Sequence, residues 1–141
     1  MIKRMFAAYM KFEEYRLSNE VKRNLTEMGF KRPTDIQFKC IPHIQRGEDL
    51  LAIAQTGTGK TAAFAIPLID KLQQIKYKAY EKGSVVRAIV MAPTRELAQQ
   101  ITRVFNKIGK GTNIKAVCVY GGVEQDYQVK KLLEGMDIVV S

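Results

Sequence analysis

The sequence predicts an α/β fold in which a parallel β-sheet is covered by helices on both faces. Short apolar runs alternate along the chain with longer segments whose apolar residues recur at helical spacing. The apolar runs are nearly continuous, which is typical of strands buried on both faces. A glycine-rich turn joins the first run to a helix. At 141 residues, the chain is long enough for one domain with a buried core.

Two helices are predicted before the first strand. The first covers residues 18–28 and is ended by Gly29, and the second covers residues 34–46 and is ended by Gly47. Glycine is common directly after a helix because it adopts the left-handed conformation without steric cost.

Four strands are predicted after these helices, and three further helices connect them. The strands cover residues 50–54, 85–92, 114–120 and 138–140, and the connecting helices cover residues 60–77, 94–108 and 124–134. Pro67 lies inside the first connecting helix and is expected to kink or break it, because proline has no backbone N–H to donate. The polar segment at residues 76–83 is expected to be a surface connection.

The first strand leads into a phosphate-binding turn, which reads Ala54-Gln55-Thr56-Gly57-Thr58-Gly59-Lys60-Thr61. Glycines let successive backbone N–H groups converge on an anion, and the helix that follows points its positive end at the same place. Lys60 would reach the β and γ phosphates of a nucleotide, and Thr61 would hold Mg²⁺. The alternative is an ordinary turn before a helix, with an incidental lysine.

Composition favours a polyanionic partner and gives no sign of a metal site. Lysine and arginine outnumber aspartate and glutamate by 23 to 14, for a net charge of +9. A solvated basic exterior is the alternative. Cys40 and Cys118 are far apart in the sequence and neither has a second thiol nearby. His43, the only histidine, is expected to be packed or solvated rather than a ligand. No run approaches the ~20 apolar residues of a membrane span, so the predicted location is cytoplasmic.

Three further segments, in order, resemble motifs of the DEAD-box RNA helicases. Gly29-Phe30-Lys31-Arg32-Pro33-Thr34-Asp35-Ile36-Gln37 is similar to the adenine-sensing motif of that family, and Phe12 stands where the family has an isolated aromatic residue. Pro93-Thr94-Arg95-Glu96-Leu97-Ala98 is similar to its first RNA-contact motif, and Gly121-Gly122 to its glycine doublet. The resemblance implies a RecA-like domain that is incomplete, with residues 1–11 as an N-terminal extension and residues 12–141 as part of the ATP-binding domain.

The resemblance implies ATP and Mg²⁺ as cofactors. A carboxamide both donates and accepts, so Gln37 can meet the amino group and a ring nitrogen of adenine, whereas guanine presents the opposite pattern. Gln37 also lies three residues after Thr34, which is the spacing of a capping box at a helix start, and it can serve both purposes. The implied ATP-binding residues are Phe12, Phe30, Arg32, Gln37, Gln55, Thr56, Gly57, Thr58, Gly59, Lys60 and Thr61.

RNA is the implied macromolecular partner. Thr94 and Arg95 follow a predicted strand at its carboxyl end, where open α/β sheets bind ligands. A helix start with free N–H groups and a planar guanidinium suits a phosphodiester oxygen, although Thr94 can merely cap its helix. The implied RNA contacts are Pro93, Thr94, Arg95, Gly121 and Gly122, and binding through the backbone would be insensitive to RNA sequence.

Hydrolysis needs groups that we do not find in this sequence. A P-loop enzyme uses an apolar strand that ends in Asp to hold the metal's water, and in this family a Glu follows it. The only apolar run that ends in Asp is at residues 66–70, one helical stretch past Lys60. We therefore expect either the front part of a helicase, which binds nucleotide without turnover, or a non-catalytic or poorly folded fragment. A P-loop GTPase is disfavoured because Asn106-Lys107-Ile108-Gly109 lacks the Asp of the guanine signature.

The RecA-like fold also implies that the strand at residues 50–54 pairs with strands from later in a complete domain. In this chain we expect it to lack both neighbours, while the other three predicted strands pair among themselves. An apolar strand with open edges favours association or local disorder.

Overall fold

A parallel sheet packed against helices organises residues 10–75 and 85–141, the part of the chain that the computed structural model describes. The elements in chain order are a 3-10 turn at Phe12–Glu14, α1 at Asn19–Glu27, α2 at Asp35–Arg46, α3 at Lys60–Gln74, β1 at Ala88–Val90, α4 at Arg95–Ile108, β2 at Ala116–Cys118, α5 at Gln125–Leu133 and β3 at Ile138–Val140. The predicted surface connection at residues 76–83 lies outside the described residues. No helix of the described ranges is long and apolar enough to cross a membrane.

The sheet has the strand order β1-β3-β2, and both pairs are parallel. Val139 of the central strand lies opposite Ile89 of β1 and Val117 of β2. Ile138 and Val140 are fully buried, as expected for a central strand of a covered sheet. The prediction that these three strands pair among themselves is confirmed; β1 and β2 are shorter than the apolar runs that predicted them, and β3 has the predicted bounds.

A single carboxylate ties the three strands together where they begin. Asp137, just before β3, accepts bonds on Oδ1 from Arg87 Nε at 2.9 Å and Arg87 Nη2 at 2.5 Å. Its Oδ2 accepts the backbone N–H of Lys115 at 2.8 Å. Arg87 precedes β1 and Lys115 precedes β2, so the side chain of Asp137 contacts the chain just before both outer strands.

The prediction of a strand at residues 50–54 is wrong. The segment is assigned no secondary structure, and it pairs with no other strand of the described ranges. Leu51 and Ile53 are each 87% exposed. The expectation that this segment lacks flanking strands is confirmed. An extended segment becomes a strand only when a neighbour satisfies its backbone groups, and the local sequence does not supply one.

Helix α3 forms the centre of the core, although it contains Pro67. Its buried residues are Ala62, Ala63, Ala65, Ile66, Pro67, Ile69, Asp70 and Leu72. The expected break at the proline is wrong, because the helix continues to Gln74. Pro67 itself lies on the buried face, where contacts with α2 and α4 hold the helix together despite one missing backbone bond.

Buried polar side chains join the helices at two places. Asn24 of α1 donates from Nδ2 to the carbonyls of Ile108 and Lys110, both at 2.7 Å, and so satisfies the end of α4. Asp70 of α3 accepts the backbone N–H of Ser18 at 2.8 Å, directly before α1. Cys40 is buried and Cys118 is half-buried, and both are free thiols.

We expect Asn24→Ala to lower the free energy of unfolding by about 2–3 kcal/mol, because it leaves two carbonyls at the end of α4 without a donor in a site that is 2% exposed. Chemical denaturation measures the change. Asn113→Ala, at an exposed position, is the matched control and should change stability by less than about 0.5 kcal/mol. Equal effects of the two substitutions would contradict the role of Asn24.

We expect Tyr15→Phe to raise the free energy of unfolding by up to about 1 kcal/mol. The Tyr15 hydroxyl is buried without a hydrogen-bond partner in the described structure, and burial raises the pKa of the phenol. Its ring would keep its contact with Phe12, at 5.8 Å between centroids. Tyr127→Phe, at a side chain that is 58% exposed, is the control and should be neutral. A loss of stability in Tyr15→Phe would refute this account.

Candidate functional site

The glycine-rich turn has the backbone conformation of an anion cradle. Gly57 and Gly59 have φ angles of 79° and 84°, in the left-handed region that disfavours other residues. Gly59 is the residue directly before α3, so the free N–H groups of the first helical turn, from Lys60 onward, open towards the cradle. An added Cβ on Gly57 would meet no atom within 4 Å, so the space beside it is open.

Hydrogen bonds within the turn hold the cradle in a folded-back state. Lys60 Nζ donates to the Ala54 carbonyl at 2.7 Å, and Thr58 Oγ1 donates to the Gln55 carbonyl at 2.7 Å. Lys60 and Gln55 are exposed, and Thr61 is half-buried. The ammonium group of Lys60 therefore already lies over the loop, where a phosphate group would compete with a neutral carbonyl for it.

Gln37 joins the start of α2 to the cradle. Its Oε1 accepts the backbone N–H of Thr34 at 3.0 Å, so the predicted capping box is confirmed. Its Nε2 donates to the Gly59 carbonyl at 3.1 Å. An added Cβ on Gly59 would lie 2.4 Å from that nitrogen, so only glycine permits this contact. Thr34 makes a second link, because its hydroxyl donates to the Thr58 carbonyl at 2.8 Å.

Two aromatic rings lie near the start of the segment at residues 29–37. Phe30 is half-buried, and its ring meets that of Phe12 edge-on at 6.1 Å between centroids. Phe12 is 3% exposed, and its N–H donates to the Lys31 carbonyl at 3.3 Å. Phe12 thus supports Phe30 from the core. Arg32 is exposed beside them.

The loop that precedes the cradle is held by a charged cluster. Glu48 accepts from Arg46 Nε, from Arg46 Nη2 at 3.1 Å and from His43 Nδ1 at 2.5 Å. The Arg46 guanidinium, followed by His43, lowers the pKa of the Glu48 carboxyl to about 2. Beyond this cluster, grooves of about 670 Å³ and 530 Å³ lie along residues 50–54. The segment that leads into the cradle is therefore anchored at its start and open along its length.

A second site forms at the carboxyl ends of β1 and β2. Thr94 caps α4, because its Oγ1 accepts the Leu97 N–H at 3.2 Å. Arg95 extends over the glycine doublet, and its Nη2 would lie 3.0 Å from a Cβ added to Gly122. Gly121 has open space beside it, and Pro93, Thr94 and Arg95 are exposed. The structure thus brings together two motifs that are far apart in the sequence.

Tyr120 belongs to this second site, although the sequence analysis did not select it. The Arg95 guanidinium carbon lies 5.8 Å from the centroid of its ring. The Tyr120 hydroxyl accepts a hydrogen bond from Gln99 Nε2 at 2.8 Å. The Tyr120 backbone N–H donates to Gln128 Oε1 at 2.9 Å, and its carbonyl accepts from Gln128 Nε2 at 3.2 Å. An aromatic residue directly before the glycine doublet was the signal available in the sequence.

Asp70 ends the only apolar run of the sequence that finishes in Asp, and it lies away from both sites. It is in the third turn of α3 after Lys60 and is 1% exposed. Its oxygens accept from the Ser18 backbone and from Gln74 at 2.7 Å. No group of three or more His, Cys, Asp or Glu side chains in the described ranges could hold a metal ion.

Known proteins of one family match this chain in sequence and in structure. A family profile described as DEAD/DEAH box helicase matches residues 34–141. The chain is 38% identical over 133 residues to the ATP-dependent rRNA helicase RRP3 of Debaryomyces hansenii, and the match covers 94% of this chain and 26% of that protein. The chain thus spans about a quarter of that relative's length.

Two crystal structures share the fold. A DEAD box protein from the hyperthermophile Methanococcus jannaschii matches with a TM-score of 0.79 and 36% identity, over 94% of this chain and 35% of that one. A hypothetical ATP-dependent RNA helicase from Sulfolobus tokodaii matches with a TM-score of 0.73 and 34% identity, over 88% and 33% of the two chains. These matches confirm the RecA-like α/β fold, in incomplete form. The chain belongs to the DEAD/DEAH box helicase family.

Proposed function

We propose that this chain is the ATP- and RNA-binding front part of a DEAD-box RNA helicase, and that the whole protein couples ATP binding and hydrolysis to RNA remodelling. The observation that carries the proposal is the 3.1 Å bond from Gln37 Nε2 to the Gly59 carbonyl. This bond directly connects two segments. One would recognise the base of a nucleotide, and the other would hold the phosphates of the same nucleotide. We take the domain to begin at Phe12, the first residue of the described range that is buried in the core.

Gln37 is 1% exposed in this structure, so it would read adenine with the unused parts of its amide only once the nucleotide uncovers it. Its Oε1 uses one lone pair on Thr34, and its Nε2 uses one hydrogen on Gly59. One acceptor position and one donor position therefore remain, which is the pair that adenine requires. Phe30, braced by Phe12, would stack on the base, and the backbone at Arg32 would reach the same edge.

The cradle would exchange its internal bonds for bonds to phosphate. Lys60 would leave the Ala54 carbonyl for the β and γ phosphates, because a charged oxygen is the stronger acceptor. Backbone N–H groups of residues 55–60 and the start of α3 would surround the same anion. Thr61 would hold Mg²⁺, which would neutralise phosphate charge when bound. The open space at Gly57 fits a bound phosphate group.

RNA would bind at the second site through its backbone. The exposed Arg95 guanidinium and the free N–H groups at the start of α4 offer donors to one phosphodiester. Gly121 and Gly122 let the sugar-phosphate chain approach closely, and Pro93 and Thr94 form the adjacent edge. We propose that this chain alone binds RNA weakly and does not hydrolyse ATP, because its sequence has no apolar strand that ends in the Asp-Glu pair used for hydrolysis.

We expect ATP to bind more tightly than GTP in the presence of Mg²⁺, with no phosphate release above background. Lys60→Ala should weaken ATP binding by about tenfold or more, because it removes a charge-assisted bond. Gln37→Ala should lower ATP affinity more than GTP affinity, whereas Gln100→Ala, at an exposed position on α4, should change neither. Calorimetric titration measures the affinities, and thermal melting checks that each variant is folded.

Two results would count against this proposal. Equal affinities for ATP and GTP in the unsubstituted chain would remove the base-reading role of Gln37. Phosphate release that Lys60→Ala abolishes would show that the chain contains a complete catalytic site.

We expect single-stranded RNA of any sequence to bind weakly, with an affinity that falls steeply as salt rises. Arg95→Ala should reduce the slope of log affinity against log salt by about 1, because it removes one phosphate contact. Arg103→Ala is the matched control, since Arg103 is exposed on the same helix but lies two turns from the proposed site. Tight binding of one RNA sequence over others at physiological salt would contradict backbone recognition.

A further inference from the structure

A second basic pocket lies at the far end of α3 from the nucleotide cradle. It is about 340 Å³ in volume and is formed between the ends of α2 and α3 and the segment before α1. Three cations line it, from Arg16, Arg46 and Lys71, together with the side-chain amides of Gln45 and Gln74. Lys71 follows Lys60 by eleven residues, so the pocket is roughly 16 Å along the helix from the cradle.

Two of these cations have no partner in the described structure. Neither the Arg16 guanidinium nor the Lys71 ammonium makes an ion pair or a side-chain hydrogen bond within the described residues, whereas Arg46 is paired with Glu48. Lys71 Nζ lies close to Gly47, because an added Cβ there would be 2.7 Å away. Gly47 directly follows α2, so the ammonium sits near the negative end of that helix, which holds it in place.

The one acid in the pocket has its charge largely satisfied. Asp70 Oδ1 accepts the Ser18 backbone N–H at 2.8 Å, and its Oδ2 accepts Gln74 Nε2 at 2.7 Å. Burial raises the pKa of this carboxyl. Gln45 donates to the Arg16 carbonyl and its side chain also bonds Asp70, whereas Gln74 donates one hydrogen to Asp70 and keeps a second.

We propose that this pocket binds a small phosphate-bearing anion, at a site separate from the nucleotide cradle. A guanidinium, an ammonium and the remaining amide N–H of Gln74 around one cavity match the several oxygens of a phosphate group. The cavity is closed on one side by Asp70, so it suits a free phosphate or a small phosphorylated molecule better than a continuous RNA backbone. Phosphate bound here bridges the segment before α1 to α2 and α3.

The test is a titration of the isotope-labelled chain with inorganic phosphate, followed residue by residue by NMR. The amide signals of Gln45, Lys71 and Gln74 should shift and saturate. Arg16→Gln and Lys71→Gln should each weaken this binding by about fivefold, because each removes a partly exposed charge. Lys130→Gln, at an exposed position on α5, is matched in charge and should have no effect.

A substitution with the opposite expected effect makes the test sharper. Asp70→Asn should tighten phosphate binding severalfold, because it removes a like charge while it keeps an oxygen for the Ser18 N–H. Shifts confined to residues 55–61 would overturn the proposal, and so would pocket shifts that persist unchanged in Arg16→Gln and Lys71→Gln. In a parallel titration, the chain is titrated with single-stranded RNA. If RNA saturates the same amide signals at a lower concentration of phosphate groups than inorganic phosphate does, the pocket is an RNA contact and the small-anion proposal is overturned.

Discussion

Helix α3 connects the glycine-rich turn to the helical core, because one face of it is buried along nearly its whole length. Its first residues directly follow the glycine-rich turn, and its middle packs against α2 and α4. Its last turns contain Asp70 and Lys71. Asp70 accepts the backbone N–H of Ser18, directly before α1, and Lys71 lines the second basic pocket. The position of the cradle is therefore set by a hydrophobic core rather than by the sheet. This explains how the turn keeps its conformation although the segment before it has no strand partner.

The contact between Gln37 and Gly59 shows how a residue that caps a helix can also connect that helix to a second segment. A side chain that only capped α2 would need one acceptor atom. Instead, Gln37 uses both ends of its amide, and the glycine is required by a distance of 2.4 Å to an added Cβ. Movement of the cradle and movement of the start of α2 are thereby linked.

The exposed apolar surface is the clearest cost of the incomplete sheet. Leu51, Ile53 and Met91 are each 87% exposed, and Ile89 is 71% exposed, although all four belong to apolar runs. Such side chains are usually buried in covered parallel sheets. In the described structure, β1 pairs on one edge only and residues 50–54 pair on neither. The grooves along residues 50–54 are consistent with a sheet that has room for further strands there.

The sequence by itself determined the order of the elements, the ends of the helices and the residues of the cradle, because these depend on local properties. Glycines at positions 57 and 59, a lysine at the helix start and hydroxyl caps at Ser18, Thr34 and Thr94 act over only a few residues. Only the tertiary structure decided that Pro67 does not break α3 and that Tyr120 meets Arg95. Each of these depends on a neighbour that is distant in the sequence: a helix face that is buried, or a guanidinium that crosses a glycine doublet. Hydrophobic pattern and turn chemistry predict which conformations a segment favours, but pairing and packing select among them.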